Sequence, residues 1–263
     1  MRFQPSTEDL IYEEHASIGW LTLNRPLARN ALTFAMYEGV GELASLPEEE
    51  LPEVLVITGA GDRAFAAGTD IAQFLAFSGA EDVIAYERRM SEVLSALERC
   101  PIPTIAAIQG ACTGGGAAIA GACDLRIGAP SALFGVPIAR TLGNCLSGDN
   151  YARLARIVGP ARLKEIIMRA RLVDAEESLR IGWLHQVTES EAELHGVVSE
   201  IARQIAGNAP LTLRATKRAL DRSFDPSEEE VARELILSCY LSDDFREGVA
   251  AFLAKRPPNW TGR

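Results

Sequence analysis

Three consecutive glycines, Gly114, Gly115 and Gly116, stand between an apolar strand-like run, Thr104 to Ile108, and an alanine-rich helical segment that ends near Cys123. Such a junction leaves bare N–H groups at a helix start, where the first turn has no intrahelical acceptors and carries the positive end of the dipole. A second junction follows the run Val54 to Thr58, where a glycine-rich loop leads through Phe65-Ala66-Ala67-Gly68-Thr69-Asp70-Ile71 into a helical stretch. Two helix starts can aim two donors at one oxygen that becomes anionic during a reaction, which is the raw material of an oxyanion hole. Taken singly, either glycine cluster is equally at home as a tight turn or a close packing contact.

The elements that must position these junctions read as an α/β chain. Ile11 to Glu14 and Ile18 to Leu23 alternate around Ala16-Ser17 as a hairpin, and Thr33 to Leu46 is helical up to Pro47. Glu81 to Arg99 forms a long amphipathic helix stopped by Pro101; Leu125 to Gly128 and Leu133 to Phe134 add short strands. Strands alternating with helices predict a mainly parallel sheet. From Asn150 the pattern is almost wholly helical, with helices expected over Glu191 to Ala206, Leu211 to Arg222, Ser227 to Leu241 and Asp243 to Ala254. The stripe of Val231, Leu235, Ile236, Leu237 and Leu241 serves either an internal core or an oligomer interface.

With their flanks, the two glycine junctions resemble signature segments of the crotonase, or enoyl-CoA hydratase/isomerase, superfamily. Ile57-Thr58-Gly59 followed by Ala67-Gly68-Thr69-Asp70-Ile71 resembles its first segment, and the triple glycine its second. Asn24-Arg25-Pro26 with Asn30-Ala31-Leu32, Cys123-Asp124-Leu125-Arg126 with Phe134-Gly135-Val136-Pro137, Ala209-Pro210-Leu211 with Thr216-Lys217, and Glu247-Gly248 with Phe252 and Lys255-Arg256 extend the likeness over nearly the whole chain. The resemblance implies a crotonase-like (ClpP/crotonase) spiral of ββα units over residues 1–200 and a helical region for trimerisation over 201–263. It implies an acyl-CoA thioester as substrate, no permanently bound cofactor, and a homotrimer or dimer of trimers. By position in that family, the N–H groups of Thr69 and Gly115 hold the thioester oxygen. Ala66, Ala67, Gly68, Asp70, Ile71, Leu27, Ala28 and Arg29 lie along the coenzyme, while Phe252 and Lys255 reach the ligand of a neighbouring subunit.

The departures bear on the chemistry. Hydratases of this family use two glutamates, and the matching positions hold Ala118 and Ile138, neither of which transfers a proton. The polar stretch after Ile138 offers replacements. Asp149 is its sole carboxylate, a candidate base if burial raises its pKa or a helix first-turn acid if not. Arg140, Asn144 and Ser147 could orient a substrate carboxylate or hydroxyl, and Cys145 has no histidine near it in sequence.

Bulk properties fit a protein of 263 residues with one large core, 48% hydrophobic and 24% charged. The net charge of −10 argues against nucleic acid or an anionic membrane as partner. The N-terminal residues lack a signal-peptide core, and the five scattered cysteines fit a reduced cytoplasm. His15, His185 and His195 sit apart, with no metal-ligand spacing, and a dinucleotide fingerprint is absent. The expectation is an acyl-CoA enzyme working without the glutamate pair, by hydrolysis, decarboxylation or isomerisation. The alternative is a non-catalytic acyl-CoA-binding protein on the same fold.

Overall fold

The strand Val54–Gly59 is buried along its whole length, and its apolar residues divide by parity between two cores. Leu55 and Ile57 belong to the larger core, Val54 and Val56 to the smaller, as the two-residue repeat of a strand requires. A strand apolar on both faces needs cover on both. The computed structural model, which describes residues 3–221 and 229–263, shows how that cover is built.

The chain opens with a hairpin of β1 (Leu10–His15) and β2 (Ile18–Leu23), turned by Ala16 and Ser17 with φ of 49° and 64°. After α1 (Phe34–Ala44), one pattern occurs three times. β3 (Val54–Gly59) and β4 (Ala64–Ala66) precede α2 (Ala80–Glu98). β5 (Thr104–Ile108) and β6 (Ala111–Thr113) precede α3 (Gly115–Ala122). β7 (Leu125–Gly128) and β8 (Leu133–Gly135) precede α4 (Ile138–Thr141). The first strand of each unit enters a six-stranded sheet, completed by β9 (Gln186–Val187), in the order β1-β2-β3-β5-β7-β9. The second strand enters a three-stranded sheet, β4-β6-β8. Every pairing except β1 with β2 is parallel, so the expected ββα spiral is present.

Helices α5 (Gly148–Val158), α6 (Pro160–Met168) and α7 (Ala175–Arg180) lead to β9. Then α8 (Leu194–Ala206) covers the smaller core through Leu194, Val198 and Ala202. Residue 200, where the sequence divides core from C-terminal region, lies within this helix. Helix α9 (Pro210–Leu220) is tied to the core by Lys217, whose Nζ lies 2.7 Å from both Asp124 and the Ile102 carbonyl. Helices α10 (Glu229–Tyr240) and α11 (Asp243–Ala254) follow. Of the expected helices, Arg222 and Ser227 lie outside the described residues. Within the apolar stripe, Val231 and Leu235 are half-buried, whereas Ile236, Leu237 and Leu241 are exposed, so most of it is not internal core in the single chain.

The opening Asn-Arg-Pro segment has a structural role. Asn30 is fully buried in a left-handed conformation, φ 53°. Its Oδ1 accepts from the Arg25 N–H at 2.9 Å, and its Nδ2 donates to the carbonyls of Ala60 at 3.0 Å and Ala64 at 2.7 Å. The Arg25 guanidinium donates to the Ala31 carbonyl at 2.7 Å and to Asp70 at 2.9 Å. These bonds fasten residues 25–32 to the segment that carries Thr69. Replacing Asn30 by Ala strands the half-buried Arg25 N–H and the carbonyls of Ala60 and Ala64, so Asn30→Ala is expected to lower stability by about 2–4 kcal/mol in urea denaturation; a loss under about 1 kcal/mol would show that the loop re-forms its bonds.

Candidate active site

The first hydrogen bond of α3 runs from the Ala118 N–H to the Gly114 carbonyl at 3.0 Å, which leaves the N–H groups of Gly115 to Ala117 without intrahelical acceptors. Gly114 turns the chain at φ 53°, and its own N–H is held by the Gly135 carbonyl at 3.1 Å. Glycine at 116 lets the helix start press on β4: a Cβ there would lie 2.2 Å from the Ala66 carbonyl oxygen. At 115 the obstacle is a side chain, since a Cβ would lie 1.9 Å from the Tyr37 hydroxyl and 3.0 Å from Thr69 Oγ1.

Thr69 is positioned by different means than the sequence suggests. The helical stretch expected after Ile71 is a 3₁₀ turn, Ile71–Ala76, whose N-cap is Asp70, so Thr69 precedes the turn and owes nothing to an α-helical first turn. Instead Thr69 forms an isolated parallel bridge with Leu32. Leu32 bonds to the residues on either side, accepting from the Asp70 N–H and donating to the Gly68 carbonyl, each at 2.8 Å. That alternation turns the N–H of Thr69 the other way. Among the described residues neither this N–H nor that of Gly115 has an acceptor, and both residues line one cavity of about 220 Å³.

A row of hydroxyls backs these donors. Tyr37 OH lies 2.9 Å from Thr69 Oγ1, which lies 3.4 Å from Tyr86 OH. Burial raises the pKa of both phenols above the usual range, with the proximity of Tyr86 adding to the effect on Tyr37, so both are neutral at ordinary pH. Tyr86 also joins a cluster with Phe34, Phe74 and Phe77, whose ring centroids are 5.2 to 6.4 Å apart. Phe74 and Tyr86 from this cluster, with Met90 and Leu94 of α2, line the cavity, as do Leu142 and Leu146. Among the described residues Glu87 supplies the lining's one carboxylate, and burial raises its pKa.

Of the candidates named from sequence, Ala67, Gly68, Thr69, Ile71, Gly115, Ala118, Ile138 and Asn144 all line this cavity. Ala66 is buried in β4 and is not among the lining residues. The Asp70 carboxylate bonds Arg25 and the Ala72 N–H. Leu27, Ala28 and Arg29 are exposed, the Arg29 carbonyl accepting from the Ala67 N–H at 3.0 Å. Arg140 is exposed and off the cavity, as is Asp149, which occupies the first turn of α5 behind the N-cap Ser147. Cys145 is exposed and lines the cavity. Phe252 and Lys255 are exposed at the end of α11, away from it. Tyr37, Tyr86 and Glu87 were missed, although a signal existed: on α2 the spacing 86, 87, 90 and 94 puts a glutamate on the stripe of Met90 and Leu94.

The paired sheets and the ββα repeat define the crotonase fold, shared with an enoyl-CoA hydratase/carnitine racemase from Magnetospirillum magneticum (TM-score 0.89, 34% identity, covering 98% of this chain and 97% of that one). An enoyl-CoA hydratase from Bacillus anthracis superposes with a TM-score of 0.88 at 30% identity, covering 97% of this chain and all of that one. The chain belongs to the enoyl-CoA hydratase/isomerase family, whose model matches residues 13–263. Among its relatives are a crotonyl-CoA hydratase from Syntrophomonas wolfei, 33% identical over 97% of this chain and 99% of the relative, and a short-chain-enoyl-CoA hydratase from Clostridium acetobutylicum, 32% identical over 94% and 95%.

The contact between Gly115 and Tyr37 can be tested by a double-mutant cycle. Gly115→Ala is expected to destabilise the fold by about 1–3 kcal/mol through overpacking, and Tyr37→Phe in the same chain to recover a substantial part of that loss in thermal unfolding. Strict additivity of the two changes would mean that the obstruction lies elsewhere.

Proposed function

We propose that this chain is an acyl-CoA-processing enzyme that stabilises the thioester oxygen, as an enolate or tetrahedral oxyanion, between the N–H groups of Thr69 and Gly115. The observation that carries this reading is the pair of unengaged main-chain donors facing one largely apolar cavity. Donors fixed by the fold need no reorganisation as charge develops, and low dielectric strengthens them. The names of the family's hydratases support a coenzyme A thioester as substrate. On this reading the coenzyme lies along Ala67, Gly68, Ile71 and the opening segment near Arg29, and the acyl group fills the pocket beside Ala118, Ile138 and Asn144.

Because Ala118 and Ile138 stand where the resemblance expects the hydratase glutamates, hydration by that pair is set aside. Decarboxylation is compatible with the residues at those two positions, since loss of carbon dioxide leaves the enolate without a strong base. Hydrolysis and isomerisation pass through the same stabilised oxygen. The exposed apolar residues of α10 and α11, including Ile236, Tyr240 and Leu253, support assembly as a homotrimer or dimer of trimers through the helical region after the residue 1–200 core. Five free cysteines support a cytoplasmic setting. The missing glutamates equally motivate a non-catalytic acyl-CoA-binding protein.

Comparing Gly115→Pro with Gly115→Ala isolates the donor, because both add a Cβ at the helix start and proline alone removes the N–H. With enoyl-, malonyl-type and saturated acyl-CoAs, products followed by mass spectrometry and binding by calorimetry, the wild-type protein is expected to turn over at least one thioester. The proline variant should fall about 10²- to 10³-fold below the alanine variant in kcat/KM. Binding without product across the panel would favour the non-catalytic reading, and no binding would remove coenzyme A from the proposal.

A further inference from the structure

We infer that Glu87 is the proton-transferring carboxylate of this site, standing on α2 in place of acids at positions 118 and 138. This assignment rests on the acyl-CoA reading and deepens it. Three observations converge on it. Glu87 lines the same cavity as Thr69 and Gly115 and is the one carboxylate to do so among the described residues. It makes no hydrogen bond or ion pair among them, whereas Glu38, on the neighbouring helix α1, is paired with Arg89. The lining it shares is largely apolar, with Met90 and Leu94 of the same helix and Phe74 and Ile138, and Glu87 itself is half-buried, which makes a carboxylate more basic.

The electrostatics agree with the geometry. Burial raises the Glu87 pKa, moving it toward the range in which a carboxylate both accepts and returns a proton efficiently. The other titratable groups of the lining are Tyr37, from α1, Tyr86, from α2, and Cys145, from the loop before α5. Both phenols are held neutral by burial, and the charge on Glu87 raises their pKa further, so the three groups share one electrostatic environment. Asp149, the carboxylate singled out from sequence, is exposed on α5 and off the cavity.

The step balances without any other reactant. Glu87 removes a proton from the carbon beside the thioester carbonyl. The C–H bond breaks, its electron pair moves toward the carbonyl, and the resulting enolate oxygen is received by the N–H groups of Thr69 and Gly115. The proton, now on Glu87, returns to the same carbon, which exchanges it with solvent if the carboxyl equilibrates with water. In a β,γ-unsaturated acyl chain, the acid delivers it to the γ carbon and the double bond moves into conjugation. One carboxylate suffices for either outcome, and the compact apolar pocket suits a thioester with an acidic α-hydrogen and a small acyl group.

Hydrogen exchange reads this step without requiring net turnover. Wild-type protein, Glu87→Gln and Glu87→Asp are incubated with butanoyl-CoA in deuterium oxide, loss of α-protons is followed by proton NMR, and affinity is measured by calorimetry. The wild-type protein is expected to exchange the α-protons. Glu87→Gln should slow exchange about 10²-fold or more while keeping affinity within a few-fold, and Glu87→Asp should restore part of the rate. Because the working form is the ionised base, wild-type exchange should rise with pH through a midpoint above the ordinary carboxylate range, and that limb should vanish in Glu87→Gln. Exchange by Glu87→Gln at the wild-type rate overturns the assignment and leaves the acyl-CoA reading standing, as does tight wild-type binding with no exchange. Absence of binding by the wild-type protein removes the acyl-CoA reading and this assignment with it.

Discussion

Close approach of the α3 start to strand β4 governs the geometry of the cavity. That contact exists because Gly116 has no Cβ to strike the Ala66 carbonyl, and Gly115 likewise has none to strike Tyr37 of α1. Pressing a helix N-terminus onto a parallel strand brings the first-turn N–H groups to the same cavity as a second chain segment, whose Thr69 N–H likewise has no acceptor among the described residues. That second segment is held from behind, by the bridge of Thr69 to Leu32 and by the bonds of Asn30 and Arg25. The two donors are thus fixed by hydrogen bonds and steric contacts within the fold itself.

Around that fixed pair the cavity is lined mainly by carbon and neutral hydroxyl. Tyr37 and Tyr86 cannot ionise at ordinary pH, and their hydroxyls flank Thr69 Oγ1, so the polar groups nearest the donors form a connected set rather than competing for the cavity. Low polarisability in the walls lengthens the reach of every remaining charge. For that reason a single glutamate on α2 matters more to this site than the many charged residues on the surface. Surface pairs such as Arg246 with Asp243 are screened by water and add little.

Much of the scaffold was readable because its signals are local. The hairpin at Ala16-Ser17, the apolar runs of β3 and β5 and the glycines before α3 each declare themselves within a few residues. Thr69 shows where that approach stops. Its position was readable from the motif, but the reason its N–H is exposed is a bridge to Leu32, a partner far away in sequence, rather than a helix start. Asp149 was visible as the one carboxylate in an unusual polar stretch, yet the Ser147 cap and the course of α5 turn it to solvent. Glu87 and Tyr37 come from helices that resemble ordinary amphipathic cover. Only the packing of α1 against α2, and of α2 against α3, makes them part of the cavity.

The threefold ββα repeat separates two kinds of information. On the proposed reading, what receives an oxygen is main chain, encoded by glycines and by a strand bridge, and a change of side chain in the lining leaves it intact. On the same reading, what moves a proton is a side chain drawn from α2, α3 or α4, each of which ends a different turn of the spiral and can be altered alone. A chain built this way can lose acids from two turns and present one from a third while the oxygen-binding frame stays the same. Its reaction can therefore diverge by single substitutions at low structural cost, and overall sequence identity is a better guide to the frame than to the chemistry performed inside it.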